Sequence, residues 1–188
     1  KTRDLLEQAL NFMKKEIETK FFVDDLGTVR KKLKKLGAKF EGVYYEHDFM
    51  FDNKRGDLKR NREVLRIRKS NDISFLTFKT KVKSQEGFKI ADEHQIEISN
   101  ALALKKIFEH LGFAAVFKYK KPRREYWKYL DSHVTLDSFP FGKFVEVEGM
   151  EKRIRQIAAK LGFDFDRSSA KSYRRLIEEY RKYKKITY

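Results

Sequence analysis

Cysteine is absent from the 188 residues. That excludes a disulfide scaffold, a Cys-ligated zinc or iron–sulfur site and a thiol nucleophile. Proline occurs only 2 times and glycine 9 times, scattered, so no flexible linker separates domains. No Gly-x-x-x-x-Gly-Lys-[Ser/Thr] loop occurs, and any nucleotide must therefore be gripped by side chains. No apolar run reaches the roughly 18 residues of a membrane span, and no charged-then-apolar leader opens the chain. The expectation is a soluble, cytoplasmic protein without a membrane partner. His47, His94, His110 and His133 lack metal-ligand spacing and read as surface or packing residues. Acidic residues are in deficit: 28 Asp and Glu against 44 Lys and Arg leave a formal charge of +16. Such a chain seeks anions, whether nucleic acid, a phosphorylated small molecule or an acidic surface.

Aromatics are plentiful, with 17 Phe and 9 Tyr, and argue against disorder. Residues 13–188 read as a single domain large enough to bury a core. Residues 1–12 are set apart as an N-terminal extension, where Leu5, Leu6, Ala9 and Leu10 form a short helical stripe. Four further helices are predicted by period. Leu26, Val29, Leu33 and Leu36 mark the first, capped by Asp24 or Asp25 and stopped at Gly37. Asn100 caps the second, with Leu104, Ile107, Phe108 and Leu111 expected inward. The third runs from about Glu151 to Gly162, and the fourth follows Ser172 through Leu176, Ile177 and Tyr180. Leu-Gly closes three helices, at Gly37, Gly112 and Gly162, an echo that suggests repeated strand–helix units on one sheet or barrel.

Between the helices lie strands whose alternating polar positions carry charges. Glu16, Glu18 and Lys20 share a face; so do Arg66 and Arg68, opposite Leu65 and Ile67. Lys79 sides with Thr77, Glu93 with Gln95 and Glu97, Thr135 with Asp137, and Glu146 with Glu148. One such strand is ordinarily half-buried with its polar face in water. Repeated over several strands, the pattern suits a sheet that closes on itself and places the charges inside. Buried charges need partners. Carboxylates without cysteine suit a hard divalent cation, and Arg and Lys suit phosphate oxygens. A polyphosphate with its metal satisfies both sets.

The residues also resemble a known family. Glu16-Ile17-Glu18-Thr19-Lys20 is similar to the Glu-x-Glu-x-Lys signature of the CYTH superfamily, the triphosphate tunnel metalloenzymes. This superfamily includes class IV adenylate cyclases and thiamine triphosphatases. The likeness continues in order through His47-Asp48 with Phe51-Asp52, Leu65-Arg66-Ile67-Arg68, Leu76-Thr77-Phe78-Lys79 and Lys121-Pro122-Arg123 followed by Tyr126. It ends with Asp137, with Gly142-Lys143-Phe144-Val145-Glu146-Val147-Glu148, and with Lys171-Ser172-Tyr173. One departure stands out: where many members have Arg-Glu-Glu-Ile-Glu, this chain has Glu93-His94-Gln95-Ile96-Glu97. The resemblance implies an α+β fold, an eight-stranded antiparallel β-barrel flanked by helices. It implies phosphate contacts from Lys20, Arg66, Arg68, Lys79, Arg123 and Lys171, with Lys121 a lesser candidate. It implies metal ligands among Glu16, Glu18, Glu97, Asp137, Glu146 and Glu148, the ion being Mg²⁺ or Mn²⁺. Glu16, Glu18, Lys20, Glu146 and Glu148 would carry catalysis.

Three functions fit. Two are enzymatic, on a triphosphate-containing partner such as ATP, tripolyphosphate or thiamine triphosphate: class IV cyclase-like conversion of ATP to cyclic AMP and pyrophosphate, or triphosphate hydrolysis. The third is a non-catalytic RNA- or polyphosphate-binding module, suggested by the basic, aromatic stretch from Lys118 to Lys128 and compatible with weak nonspecific nucleic-acid binding. A pure anion binder gains nothing from paired carboxylates on phosphate-facing walls, which favours the enzymes. Lys-x-Arg-x-x-Tyr and Ser-Tyr-Arg resemble the cyclase branch. The expected assembly is a monomer or homodimer.

Overall fold

A computed structural model describes residues 14–184; the proposed extension at 1–12 lies outside them. The strands are Lys14–Val23 (β1), Lys39–Asn53 (β2), Val64–Ser70 (β3), Ile73–Gln85 (β4), Phe88–Ile98 (β5), Phe113–Tyr129 (β6), Ser132–Phe139 (β7) and Gly142–Glu148 (β8). The helices are Leu26–Lys35 (α1), Asp57–Arg60 (α2), Ala101–His110 (α3), Glu151–Leu161 (α4) and Tyr173–Lys184 (α5), with a 3₁₀ turn at Phe165–Arg167. The strand order β1-β5-β4-β3-β2-β6-β7-β8 closes on itself as an antiparallel barrel. The fold is therefore α+β, as the resemblance implied, and the sheet is closed, as the charge alternation suited. Residue contacts sort the chain into two compact units. One holds Glu16, 45–83 and 90–120; the other holds 17–44, 84–89 and 121 onward.

In the first unit, Phe51, Ile67 and Phe108 form a buried cluster. Leu65, Leu76 and Leu104 pack against it, so the aliphatic face of β3 meets α3. Asn100 caps α3 by accepting from the Ala103 amide at 2.9 Å. Ile107 and Leu111, expected inward, are exposed. The inward stripe is Ala101, Leu104 and Phe108, spaced by three and four; Ile107 falls off it, and Leu111 lies at the C-cap.

In the second unit, α1 and α4 pack on β8. Val29 and Leu33 from α1, Ile154, Ile157 and Leu161 from α4, and Val145 and Val147 from β8 are all buried. Asp25 caps α1 through the Gly27 and Thr28 amides. Gly162 ends α4 in the left-handed region, φ +75°, where a side chain would be strained. In both units the polar faces of the strands are buried as well. Glu16, Glu18, Lys20, Arg66, Lys79, Asp137 and Glu146 all count among the buried residues.

Candidate active site

The second unit holds a buried charge cluster built from five strands and a helix. Register sets it: Lys20 lies opposite Glu146 and Glu18 opposite Glu148 on β1 and β8. Thr135 pairs with Glu146 across β7–β8, and Arg124 with Asp137 across β6–β7. Directly opposed residues share a face, so these side chains converge. The Lys20 ammonium sits 2.7 Å from Glu18 Oε1 and 2.7 Å from Glu146 Oε2. Lys89 reaches the same Glu18 oxygen at 2.9 Å. Arg124 donates to Thr135 Oγ1 at 2.7 Å and to Glu146, and its Nε is 3.5 Å from Asp137 Oδ1. Tyr173, from the start of α5, donates its hydroxyl to Asp137 Oδ2. The Tyr173 ring lies under two ammonium groups, with Lys121 Nζ at 4.7 Å and Lys20 Nζ at 5.0 Å from its centroid.

The electrostatics follow from this packing. Burial and the neighbouring Glu18 push the Glu146 carboxyl up, but Lys20, Arg124 and Lys121 outweigh them and hold it at about 2. Burial pulls Lys20 down, yet Glu146 and Glu18 leave it above its ordinary value. Asp137 goes the other way: burial raises it despite Arg124 and Lys121. Burial and the adjacent Asp137 carry Tyr173 well above the usual phenol range, so it remains a donor.

The first unit holds a second cluster. Arg68 grips Asp48 with two parallel bonds, Nε to Oδ1 at 2.7 Å and Nη2 to Oδ2 at 2.8 Å, and its Nη1 is 3.2 Å from Glu46 Oε2. Arg66 donates to Thr77 Oγ1 at 3.1 Å and approaches Asp48 at 3.7 Å. Its buried Nε–H has no hydrogen-bond partner among the described residues. Lys79 bonds Glu16 and lies 2.9 Å from Glu93 Oε2. Burial raises Glu93, but Lys79 and Arg66 bring it below the usual carboxylate range. The unusual β5 sequence is thus absorbed locally: Glu93 partners Lys79, and Gln95 accepts from the Thr77 hydroxyl at 2.9 Å.

The other sequence candidates are less buried. Glu97 is exposed, and Glu148 is half-buried. Lys171 is exposed and pairs with Glu179 at 2.9 Å. Arg123 is exposed and bonds Glu125. Lys121 and Arg124 supply the buried cations of β6 instead, although three residues apart they have opposite parity in an unbroken strand. Pro122, between them, was the signal that simple alternation fails here. Lys89 went unread, although it shares strand parity with Glu93.

Among the described residues, no group of three or more His, Asp or Glu side chains is gathered to hold a metal ion. The donors suit a hard divalent cation in kind: Glu18 and Glu146 already flank one cationic group, and the buried Asp137 Oδ1 accepts no hydrogen bond.

Known proteins resemble this chain over most of its length. A Methanocaldococcus jannaschii protein, MJ0240, provisionally named an adenylate cyclase, is 33% identical over 134 residues, 71% of this chain and 75% of its own length. The solved structure of the PH1012 protein from Pyrococcus horikoshii superposes with a TM-score of 0.72 at 27% identity, covering 84% of this chain and 96% of that one. That of HpAC1 from Hippeastrum, described as a proposed adenylyl cyclase with a dominant triphosphatase activity, has a TM-score of 0.63 at 17% identity, covering 87% and 95%, and shares the fold. The profile of the CYTH domain matches residues 14–170, and with the relative from M. jannaschii it shows that the chain belongs to the CYTH family, whose enzymes act on triphosphates such as ATP and use divalent metals.

Proposed function

We propose that this chain is a divalent-metal-dependent enzyme that converts ATP to cyclic AMP and pyrophosphate. The observation that carries the reading is Lys20, fully buried between two carboxylates 2.7 Å away. A buried ion-pair network is weak evidence for stability, since apolar residues often serve as well. It is well suited to a polyanion with its metal, because phosphate oxygens replace carboxylates as partners of the cations. Arg124, Lys121 and Lys20 are the assigned phosphate contacts in the second unit, and Arg66, Arg68 and Lys79 in the first. The Arg66 Nε–H is a buried donor still to be matched. Glu18 and Glu146 would hold Mg²⁺ or Mn²⁺, which when bound neutralises charge on the phosphate oxygens. Asp137, fixed by Tyr173, orients Arg124. The name of the M. jannaschii relative supports the cyclase.

The alternative is a triphosphatase, in which water takes the place of the ribose hydroxyl under the same phosphate clamp. The activity described for the Hippeastrum protein motivates it. Incubation with ATP, tripolyphosphate and thiamine triphosphate, each with Mg²⁺, Mn²⁺ or chelator, separates the readings. Cyclic AMP with pyrophosphate is the expected product, metal-dependent and lost in Glu146→Ala. Orthophosphate without cyclic AMP would establish the triphosphatase, and inertness toward all three substrates would overturn both.

A further inference from the structure

β6 has a second face. Arg123, Glu125 and Trp127 alternate with Arg124 and Tyr126 and turn toward α1, where Arg30 and Lys34 stand one helical turn apart. With Ala38 and Phe40 these residues line a shallow, open cavity of about 340 Å³. Its polar wall is organised around one buried carboxylate. Glu125 accepts from Arg30 Nη2 at 2.7 Å and Nε at 2.9 Å, and from Arg123 Nη2 at 3.1 Å and Nε at 3.2 Å. Burial raises the Glu125 carboxyl, but the two guanidinium groups bring it below its ordinary value, so it remains an anion. Each guanidinium spends its Nε and Nη2 on Glu125, and no bond from Nη1 is made among the described residues. Lys34 adds a third cation. Three positive charges against one negative leave this wall cationic.

The remaining wall is aromatic. Phe40 packs on Trp127 with ring centroids 4.9 Å apart and is 49% exposed. The Trp127 Nε1–H is buried and has no hydrogen-bond partner among the described residues. Guanidinium edges beside an open aromatic ring recognise an oxyanion joined to a flat ring. The volume lies at the small end of ligand pockets, which suits one phosphate rather than three.

We propose that this cavity, on the face of β6 opposite Arg124, is a second ligand site for a phosphate monoester carrying an aromatic ring, of the nucleoside monophosphate class. It does not depend on the reaction catalysed. Trp127 is the single tryptophan of the chain, so its emission reports on this wall directly. Titration of the full chain with AMP should give a saturable change in emission. Inorganic phosphate should bind more weakly, and adenosine should give no saturable response. Lys34→Ala and Arg123→Ala should each weaken AMP about tenfold, the loss of a charge-assisted contact. Lys31→Ala removes the same charge from an exposed position outside the cavity and should leave the affinity as it is. Circular dichroism establishes that the variants fold. No saturable response to millimolar AMP would overturn the site. So would unchanged affinity in both cavity variants, an equal loss in Lys31→Ala, or binding of phosphate or adenosine as tight as that of AMP.

Discussion

Glu146 faces three cations and one like charge, and its titration tests that arrangement. Its carboxyl is held at about 2 in the fold against an ordinary 4.5. A depressed carboxylate stabilises the fold above its unfolded value and loses that contribution as pH falls through the folded one. Glu146→Gln should therefore cost about 2–4 kcal/mol at pH 7, because Lys20 and Arg124 each lose a buried partner. The deficit relative to the native chain should shrink between pH 4.5 and about 2. Urea unfolding of both proteins across that window measures it; a constant difference would contradict the pairing. Asp137 has the opposite sign, since its raised value makes ionisation unfavourable to the fold as pH rises through it.

At the scale of elements, the β4–β5 turn is tied to the 3₁₀ turn by close approach. Gly87 has φ +79°, and a Cβ there would stand 2.3 Å from Ser168 Oγ and 3.3 Å from the Phe165 ring. Its carbonyl accepts from Thr19 Oγ1 at 2.7 Å. The Ser168 hydroxyl can rotate, but the backbone angle cannot be relieved without breaking the turn. Gly87→Ala should destabilise by about 1–2 kcal/mol. For comparison, Asn100→Ala removes the α3 cap and should cost about 1 kcal/mol. Chemical denaturation reads both, and a neutral Gly87→Ala would show that the turn has room to move.

At the scale of the whole molecule, the question is whether anion affinity follows total charge or location. Arg66→Ala, Arg68→Ala, Lys118→Ala and Lys128→Ala all remove one positive charge from +16. Arg66 is buried and Arg68 nearly so, whereas Lys118 and Lys128 are exposed. Calorimetric titration with tripolyphosphate should show losses of about tenfold or more for the two arginines. The lysine variants should bind it almost normally and lose only weak, salt-sensitive nucleic-acid binding. Equal losses at all four positions would point to a diffuse basic surface.

Alternation is a local property, so it was legible without a structure: Glu18 with Lys20, Arg66 with Arg68, and Glu146 with Glu148 share faces because a strand repeats every two residues. Helix ends at Asn100 and Gly162 were equally legible, since caps answer to neighbouring backbone groups. Which charges meet was not. Arg124 rather than Arg123 joins Glu146 because the strand departs from alternation around Pro122, and no period reports the direction after such a break. Lys89 reaches Glu18, and Tyr173 reaches Asp137, across 71 and 36 residues of chain. Those meetings depend on strand register and helix docking, which are set by the sum of many contacts. The sequence by itself determined the inventory of charged faces, which suits a closed sheet; the tertiary structure alone decided the partners, because an ion pair is defined by a distance in space.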